Sequence, residues 1–386
     1  MNRSGDLQRR LAFALFTVLL CAGVAALFAT RSPALGSPVT VTPGAQQAPT
    51  GSVLVVRRSG DHDALWRLSP VDGTPTAAGV LRGRVGSVAV SPDGQNVAYL
   101  PADGAPRVWI GYGPLAPRTI SLAPAGLKRV DSFTWISGDR LLVAGVKRAS
   151  ADSSQDRLYV VNVATGKTSA FRDLRGVEPS YAPGIGTVTY VRLTVVKPGT
   201  PANQNTPTIA ESLRSVRLAG SGTGRTLLSE RYRLFAEHRS FSHPRLSSGG
   251  DWLLTGQTGS DVSVTYTVRE GRWGNPLLSV FTAALQAEAG WDAAGQRTAF
   301  AGTVPKDQGQ ACVWAFDPAT GAMARTPVGL LPKLMVNDLA WSASGDLVAG
   351  ASDWGVSPQR RHVLVLPGDL TSVNDLGSGR LPVWVQ

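Results

Sequence analysis

The chain has 386 residues, of which 43% are hydrophobic and 17% charged, and it carries 43 Gly and 26 Pro. This is the composition of a turn-rich globular protein, long enough for one large all-β domain or two smaller ones, and it excludes a disordered or coiled-coil chain. The net charge of +11 comes from scattered residues: there is no run of five basic residues and no basic helix with interleaved aromatics, so no nucleic-acid partner is expected.

In chain order, Arg3, Arg9 and Arg10 precede an uncharged apolar stretch, Leu11 to Ala29. As a helix it would span about 28 Å, close to the hydrocarbon thickness of a bilayer. Residues 1–30 are therefore read as a basic cytoplasmic stub and a signal anchor, one transmembrane helix with the rest of the chain outside the cytoplasm. Ala34-Leu35-Gly36 resembles a small-x-small cleavage site, so secretion after cleavage is the alternative. Leu20 before Cys21 is not a lipobox, and Arg9-Arg10 lies in a loose twin-arginine context. Residues 31–51, rich in Pro, Ser, Thr, Ala and Gln without apolar periodicity, read as a linker. Residues 52–386 form the folded domain.

That domain repeats. Ser87–Leu100 (SVAVSPDGQNVAYL), Ser132–Gly145, Glu178–Val191, His243–Gly256, Ala289–Gly302 and Asp338–Ala351 each pair a short strand, ending in a large apolar residue, with a Ser/Pro/Gly/Asp turn and a second apolar strand. The large residues are Val90, Trp135, Tyr181, Leu246, Trp291 and Trp341, spaced by 45, 46, 65, 45 and 50. A period near 45 with two visible strands per unit fits four-stranded propeller blades. Third strands are read at Arg157–Val163, Ala311–Asp317 and His362–Pro367. Fourth strands are read at Arg118–Leu122, Thr168–Arg172, Arg225–Ser229 and Ala324–Val328. Val53–Arg57, Ala64–Ser69 and Ala77–Leu81 look like a blade lacking its first strand. Leu381–Val385, with Trp384 placed 43 residues after Trp341, looks like a first strand alone. Pairing the two ends removes two exposed sheet edges. The expectation is a seven-bladed all-β propeller closed by its N- and C-terminal strands, with six blades as the alternative.

SPDG at Ser91–Gly94 followed by QNVAYL resembles the repeat of TolB-like (WD-repeat-like) propellers, and the copies at Gly138, Gly249, Gly295 and Gly345 fit the same mould. The resemblance covers Val53 to Gln386. With the N-terminal export segment, the chain also resembles the propeller part of actinobacterial LpqB-type envelope lipoproteins, without the lipobox and without a second extracellular domain before the propeller.

Chemistry is sparse. There is no G-x-S-x-G, no EF-hand loop and no phosphate-cradling glycine motif. His62, His238, His243 and His362 have no metal-ligand spacing and read as surface or turn residues. Cys312 reads as a small buried hydrophobe. Trp135, Trp291, Trp341 and Trp384 recur at the repeat and read as packing residues. No catalytic residue, metal or cofactor is assigned. Val196 to Ser212 reads as a long polar loop inserted between second and third strands. Asp152–Gln155, Lys306–Gln310 and Trp354–Arg361 would share its rim. There, Trp354 with Arg360 and Arg361 is the candidate binding patch, since aromatic and Arg side chains dominate interface hot spots.

The expected function is a non-enzymatic, extracytoplasmic module that binds an envelope or membrane protein. The alternatives are a propeller enzyme, a lyase or glycan-active protein with its site in the central channel, and a receptor for an anionic wall polymer.

Overall fold

A computed structural model describes residues 51–385, apart from 82, 112–117, 148–155, 198–207, 223, 234–239, 259–262, 270–278, 283–284, 304–310 and 356–358. The proposed membrane span at Leu11–Ala29 and nearly all of the linker lie outside the described residues. So do Asp152–Gln155 and Lys306–Gln310. Among the described residues, no helix is long and apolar enough to cross a membrane. Two compact units are separable, Met1–Ala48 and Pro49–Gln386.

The second unit contains every described strand. β1 (Ser52–Ser59), β2 (His62–Leu68) and β3 (Pro75–Val80) come first. The next sheet is β4 (Val85–Val90), β5 (Val97–Pro101), β6 (Arg107–Gly111) and β7 (Arg118–Ser121). It is followed by β8 (Arg129–Ser137), β9 (Arg140–Val146), β10 (Arg157–Asn162) and β11 (Thr168–Arg175). Then come β12 (Val177–Ala182), β13 (Thr187–Lys197), β14 (Thr208–Arg217) and β15 (Arg225–Arg233). After these stand β16 (Ser240–Leu246), β17 (Trp252–Thr258), β18 (Ser263–Arg269) and β19 (Ser279–Thr282). The last two full sets are β20 (Leu285–Trp291), β21 (Thr298–Thr303), β22 (Ala311–Phe316) and β23 (Met323–Arg325), then β24 (Leu334–Trp341), β25 (Leu347–Asp353), β26 (Arg361–Leu366) and β27 (Asn374–Asp375). β28 (Arg380–Val385) ends the chain.

These strands form seven four-stranded antiparallel sheets, six built from consecutive strands and one in the order β28-β1-β2-β3. In that last sheet Val53 faces Trp384 and Leu54 faces Val383 across the β1–β28 pairing. The first strand of each sheet packs beside the first strand of the next: β4 beside β8, then β12, β16, β20, β24 and β28, and β28 returns to β4. The sheets therefore close into a ring around their first strands, and the chain is an all-β propeller.

The core lies between sheets, as alternation along each strand requires. One face of the closing sheet buries Leu54, Leu65 and Val385 against Val97, Tyr99 and Trp109 of the next sheet. Its other face buries Val53, Val55 and Trp384 against Val348, Val363 and Val365 of the preceding one. Each such aliphatic side chain contributes about 1.5–3 kcal/mol when fully buried. Cys312 in β22 is among these wholly buried residues, as expected of a small hydrophobe.

The repeat also appears in hydrogen bonds between neighbouring sheets. Trp135 Nε1 donates to Ala89 O at 3.0 Å and Trp291 Nε1 to Arg245 O at 2.8 Å, each 46 residues away. Trp341 Nε1 donates to Gly290 O at 3.2 Å. These tryptophans pin one first strand to the preceding one, which satisfies the polar edge of a buried aromatic. At the same end of the first strands, the Ser/Pro/Gly/Asp turns that follow them interlock. Asn96 Nδ2 donates to Gly138 O at 3.1 Å, and a Cβ on Gly138 would come within 1.9 Å of Asp93 Oδ2. A side chain at position 138 would have to displace the Asp93 carboxylate.

Two expectations need correction. Val196–Ser212 is not wholly a loop: β13 continues to Lys197 and β14 starts at Thr208, and the two pair from Thr187↔Arg217 out to Lys197↔Thr208. The Pro- and Asn-containing stretch hid two strands extended beyond the usual length. The fourth strand foreseen at Ala324–Val328 is only Met323–Arg325. Thr326 leaves the ladder, and its buried Oγ1 accepts from Val313 N at 3.1 Å instead.

Candidate functional site: the rim hairpin and the central channel

Antiparallel order places the connections between second and third strands, and those leading into each first strand, on one rim. The β25–β26 hairpin projects there. Trp354 is 53% exposed, and Arg360 and Arg361 are exposed beside it. The hairpin is held at its base. Asp353 N donates to Arg360 O at 3.1 Å, and Trp354 N donates to Lys333 O at 2.7 Å in the connection that enters β24. Lys333 has a φ of 54°, so a side-chain-bearing residue is held in the left-handed region to make that contact.

His362 clamps the same hairpin. Its Nδ1 lies 2.8 Å from Asp375 Oδ2 in β27 and its Nε2 lies 3.2 Å from Asp353 Oδ1 in β25. Burial favours the neutral ring, but hydrogen bonds and charges from Asp375 and Asp353 outweigh it and raise the pKa above the usual histidine value. A group whose folded-state pKa is raised stabilises the fold fully below its unfolded pKa and loses that contribution as pH rises through the folded pKa. His362→Gln is therefore expected to destabilise the domain more at pH 5.5 than at pH 8.5. Thermal melts at both pH values check this; an equal loss at both would mean the clamp is not ionic.

The channel is a cavity of about 930 Å³ lined by the first strands of all the sheets. Phe133, Pro179, Phe241, Trp291, Trp341 and Trp384 give it apolar walls. Towards the rim that carries the hairpin, its lining is charged: Arg129, Asp131, Asp156, Glu178 and Glu211, while Arg245 lines it near the other end of β16. Arg129 Nη2 donates to Asp131 Oδ2 at 3.2 Å, within an ion pair in which Nε lies 2.5 Å from Oδ1. That hydrogen bond, opposed by burial, holds the Arg129 pKa above its ordinary value. Asp156 and Glu211 are almost completely buried. Glu178 adopts a φ of 50°, and its N–H donates to Ser132 Oγ of the preceding sheet at 3.1 Å. No histidine lines the cavity among the described residues. No group of three His, Cys, Asp or Glu that could hold a metal occurs among them either.

The structure thus brings Trp354, Arg360 and Arg361 together on one hairpin, as the sequence suggested, and leaves them outside the channel lining. It adds the channel carboxylates, which the sequence reading missed. A signal existed for two of them: Asp131 and Glu178 stand four and three residues before Trp135 and Tyr181, as Asp338 stands before Trp341. Asp338 is half-buried, and desolvation raises its pKa, with the Leu381 N–H and the charges of Arg361 and Arg380 acting in opposition. His62 is the other described histidine side chain, and its Nδ1 lies 3.0 Å from Asp61 on the surface.

No family model matches the chain, and no curated protein matches it. Solved structures do. An oligogalacturonate lyase in complex with manganese is 13% identical over 85% of this chain and 85% of its own, with a TM-score of 0.51. TolB from Acinetobacter baumannii is 13% identical over 86% of this chain and 82% of its own, with a TM-score of 0.44. A prolyl endopeptidase is 14% identical with a TM-score of 0.49; the match covers 84% of this chain and 42% of that one, so the chain spans less than half of the endopeptidase. At these identities the likeness concerns the fold alone. The chain is a β-propeller, and TolB proteins are among the solved structures it resembles.

Proposed function

We propose that this propeller is a non-enzymatic binding module, held on the outer side of the cytoplasmic membrane by Leu11–Ala29, that engages an envelope protein through the β25–β26 hairpin. The observation that carries this reading is the hairpin itself: an exposed Trp354 and two exposed arginines on a base fixed by His362, Asp353 and Asp375. A pre-ordered aromatic and Arg patch loses little entropy on binding, and such residues each carry about 2 kcal/mol or more at interface centres. The apolar N-terminal stretch after Arg3, Arg9 and Arg10 supports the placement.

A second reading, an enzyme with its site in the channel, is favoured by one observation. Asp131, Asp156, Glu178 and Glu211 line the same cavity, and carboxylates can serve as general acids and bases.

One experiment separates the two readings. A Gly51–Gln386 fragment, which contains all the sheets and their cores, is incubated with solubilised envelope of the source organism. It is compared with Trp354→Ala/Arg360→Ala/Arg361→Ala and with Asp131→Asn. The binding module predicts that the triple variant loses capture of the partner at least about tenfold while Asp131→Asn retains it. Retention by the triple variant, with loss in Asp131→Asn, would move the function into the channel.

A further inference from the structure

A second cleft, of about 750 Å³, opens on the opposite rim, at the turns that join first to second and third to fourth strands. Three arginines line it, Arg172, Arg217 and Arg225, and no acidic residue does among the described residues. Gly220, Gly222 and Gly224 of the β14–β15 connection line it as well.

The local sequence builds this arrangement at a cost. In β11 the ladder to β10 jumps from Tyr159↔Ala170 to Arg157↔Arg175, a bulge that leaves Phe171 to Leu174 unpaired. Within it Arg172 and Asp173, neither of them glycine, hold φ values of 53° and 55°. Each such residue costs on the order of 1–3 kcal/mol, and strain of this kind persists where the surroundings enforce it. The bulge turns Arg172 across the gap between sheets, where its Nη2 donates to Leu218 O of the next sheet. Its other terminal nitrogen, Nη1, is buried with no hydrogen-bond partner. Arg214 Nη2 donates to Gly224 O at 2.8 Å and fixes the far end of the connection. Gly224 has a φ of 85°, and a Cβ there would lie 2.8 Å from Ser215 O, so only glycine fits. Asp173, beside Arg172, is paired with Arg157, and Asp251 Oδ2 lies near Gly249.

Three guanidiniums, one with a buried unused donor, around a glycine-rich turn present N–H groups to a planar or tetrahedral oxyanion and exclude a cation. From this geometry we infer that the cleft between the β12–β15 and β16–β19 sheets binds a phosphate group. Arg172, Arg217 and Arg225 supply the charge, and Gly220, Gly222 and Gly224 supply backbone that carries no side chain. Arginine suits this task because its fork of donors matches phosphate oxygens in pairs. The inference does not rest on the rim hairpin, which lies at the other end of the propeller.

The phosphate could come from a free phosphate or monoester, or from a phosphodiester polymer. Isothermal titration of the full-length chain in a maltoside detergent, with inorganic phosphate in one arm and poly(glycerol phosphate) in the other, distinguishes the sources. Sodium chloride at matched ionic strength is the blank. Saturable binding in either arm is expected, stronger in the arm that matches the source. It should weaken at least tenfold in Arg172→Gln, Arg217→Gln and Gly222→Asp. Gly222 faces open space, so its aspartate places a negative charge at the cleft without disturbing packing and keeps the test valid if Arg172→Gln does not fold. The triple hairpin variant should bind as the wild type does. Absence of binding beyond the chloride blank in both arms, or binding unchanged in Gly222→Asp and Arg217→Gln, would overturn the assignment.

Discussion

Replacing Asp63 by Ala is expected to destabilise the propeller by about 2–4 kcal/mol, towards the lower part of the range for breaking a buried ion pair. Asp63 sits in β2 with 3% of its side chain exposed, and one oxygen serves two other strands. Oδ2 accepts from Arg380 Nη2 of β28 at 2.5 Å and from Val85 N of β4 at 2.7 Å. The backbone of Asp63 adds two more bonds, donating to Gly83 O and accepting from Leu81 N. Arg380 in turn donates through Nη1 to Val85 O at 2.7 Å. One carboxylate thus joins the C-terminal strand, the N-terminal sheet and the entry to the next sheet. The alanine variant leaves the Val85 N–H and a guanidinium without their acceptor. Arg380 keeps 24% of its side chain in water, so solvent relieves part of the loss. Urea unfolding of the Gly51–Gln386 fragment measures it. The Asp63→Ala/Arg380→Ala pair should cost less than the sum of the single changes, since the two share one interaction. Additive losses would mean that the pair is incidental.

Much of this architecture was legible because a propeller repeats its physics at a fixed spacing. The columns Val90, Trp135, Tyr181, Leu246, Trp291 and Trp341 all fall at or within two residues of the ends of first strands. The 45–46 residue spacing returns as hydrogen bonds between residues 46 apart, from Trp135 to Ala89 and from Ser248 to Ala294. The terminal strands could be paired in advance because each end lacked what the other supplied. Outer strands were harder. β27 is two residues long and β23 three, too short for alternation to register. β13 and β14 were shortened in the reading because Pro198, Pro201 and Pro207 lie between them and suggested a loop throughout. Val195 and Val196, 41% and 42% exposed, belong to the extended part of β13.

That Trp354 and Arg360 share one hairpin was legible from the repeat, which puts them between a second and a third strand. The channel carboxylates and the arginine cleft were not. Period-two alternation assigns successive first-strand residues to the two neighbouring sheets, but does not say which of them also reach the channel along the strand's inner edge. Arg172 reaches its cleft only through a bulge with two left-handed residues, and no residue there is the glycine that would announce it. His362 was taken for a surface residue because its partners, Asp353 and Asp375, are nine and thirteen positions away on separate strands.

Every site described above depends on the ring being closed by β28. Deleting Leu381–Gln386 removes the ladder to β1 and the buried side chains of Trp384 and Val385, 9% and 1% exposed. Loss of a core aromatic alone costs about 3–5 kcal/mol, against a total stability of roughly 5–15 kcal/mol for a domain. At roughly 2.1 cal/mol/K of unfolding entropy per residue, that lowers the melting temperature of a domain this long by about 4–7 °C before the lost ladder is added. Trp354→Ala is the control: it removes a tryptophan 53% exposed on the hairpin, and a surface change of this kind stays within about 0.5 kcal/mol. Differential scanning calorimetry of the Gly51–Gln386 fragment, its truncation after Arg380 and its Trp354→Ala variant decides the matter. The closed ring predicts a fall of about 4–7 °C or more for the truncation, or no cooperative transition at all, with Trp354→Ala within about 1 °C of the parent. A truncated fragment that melts with the parent would show that the C-terminal strand is a tail and that the ring is not closed through it.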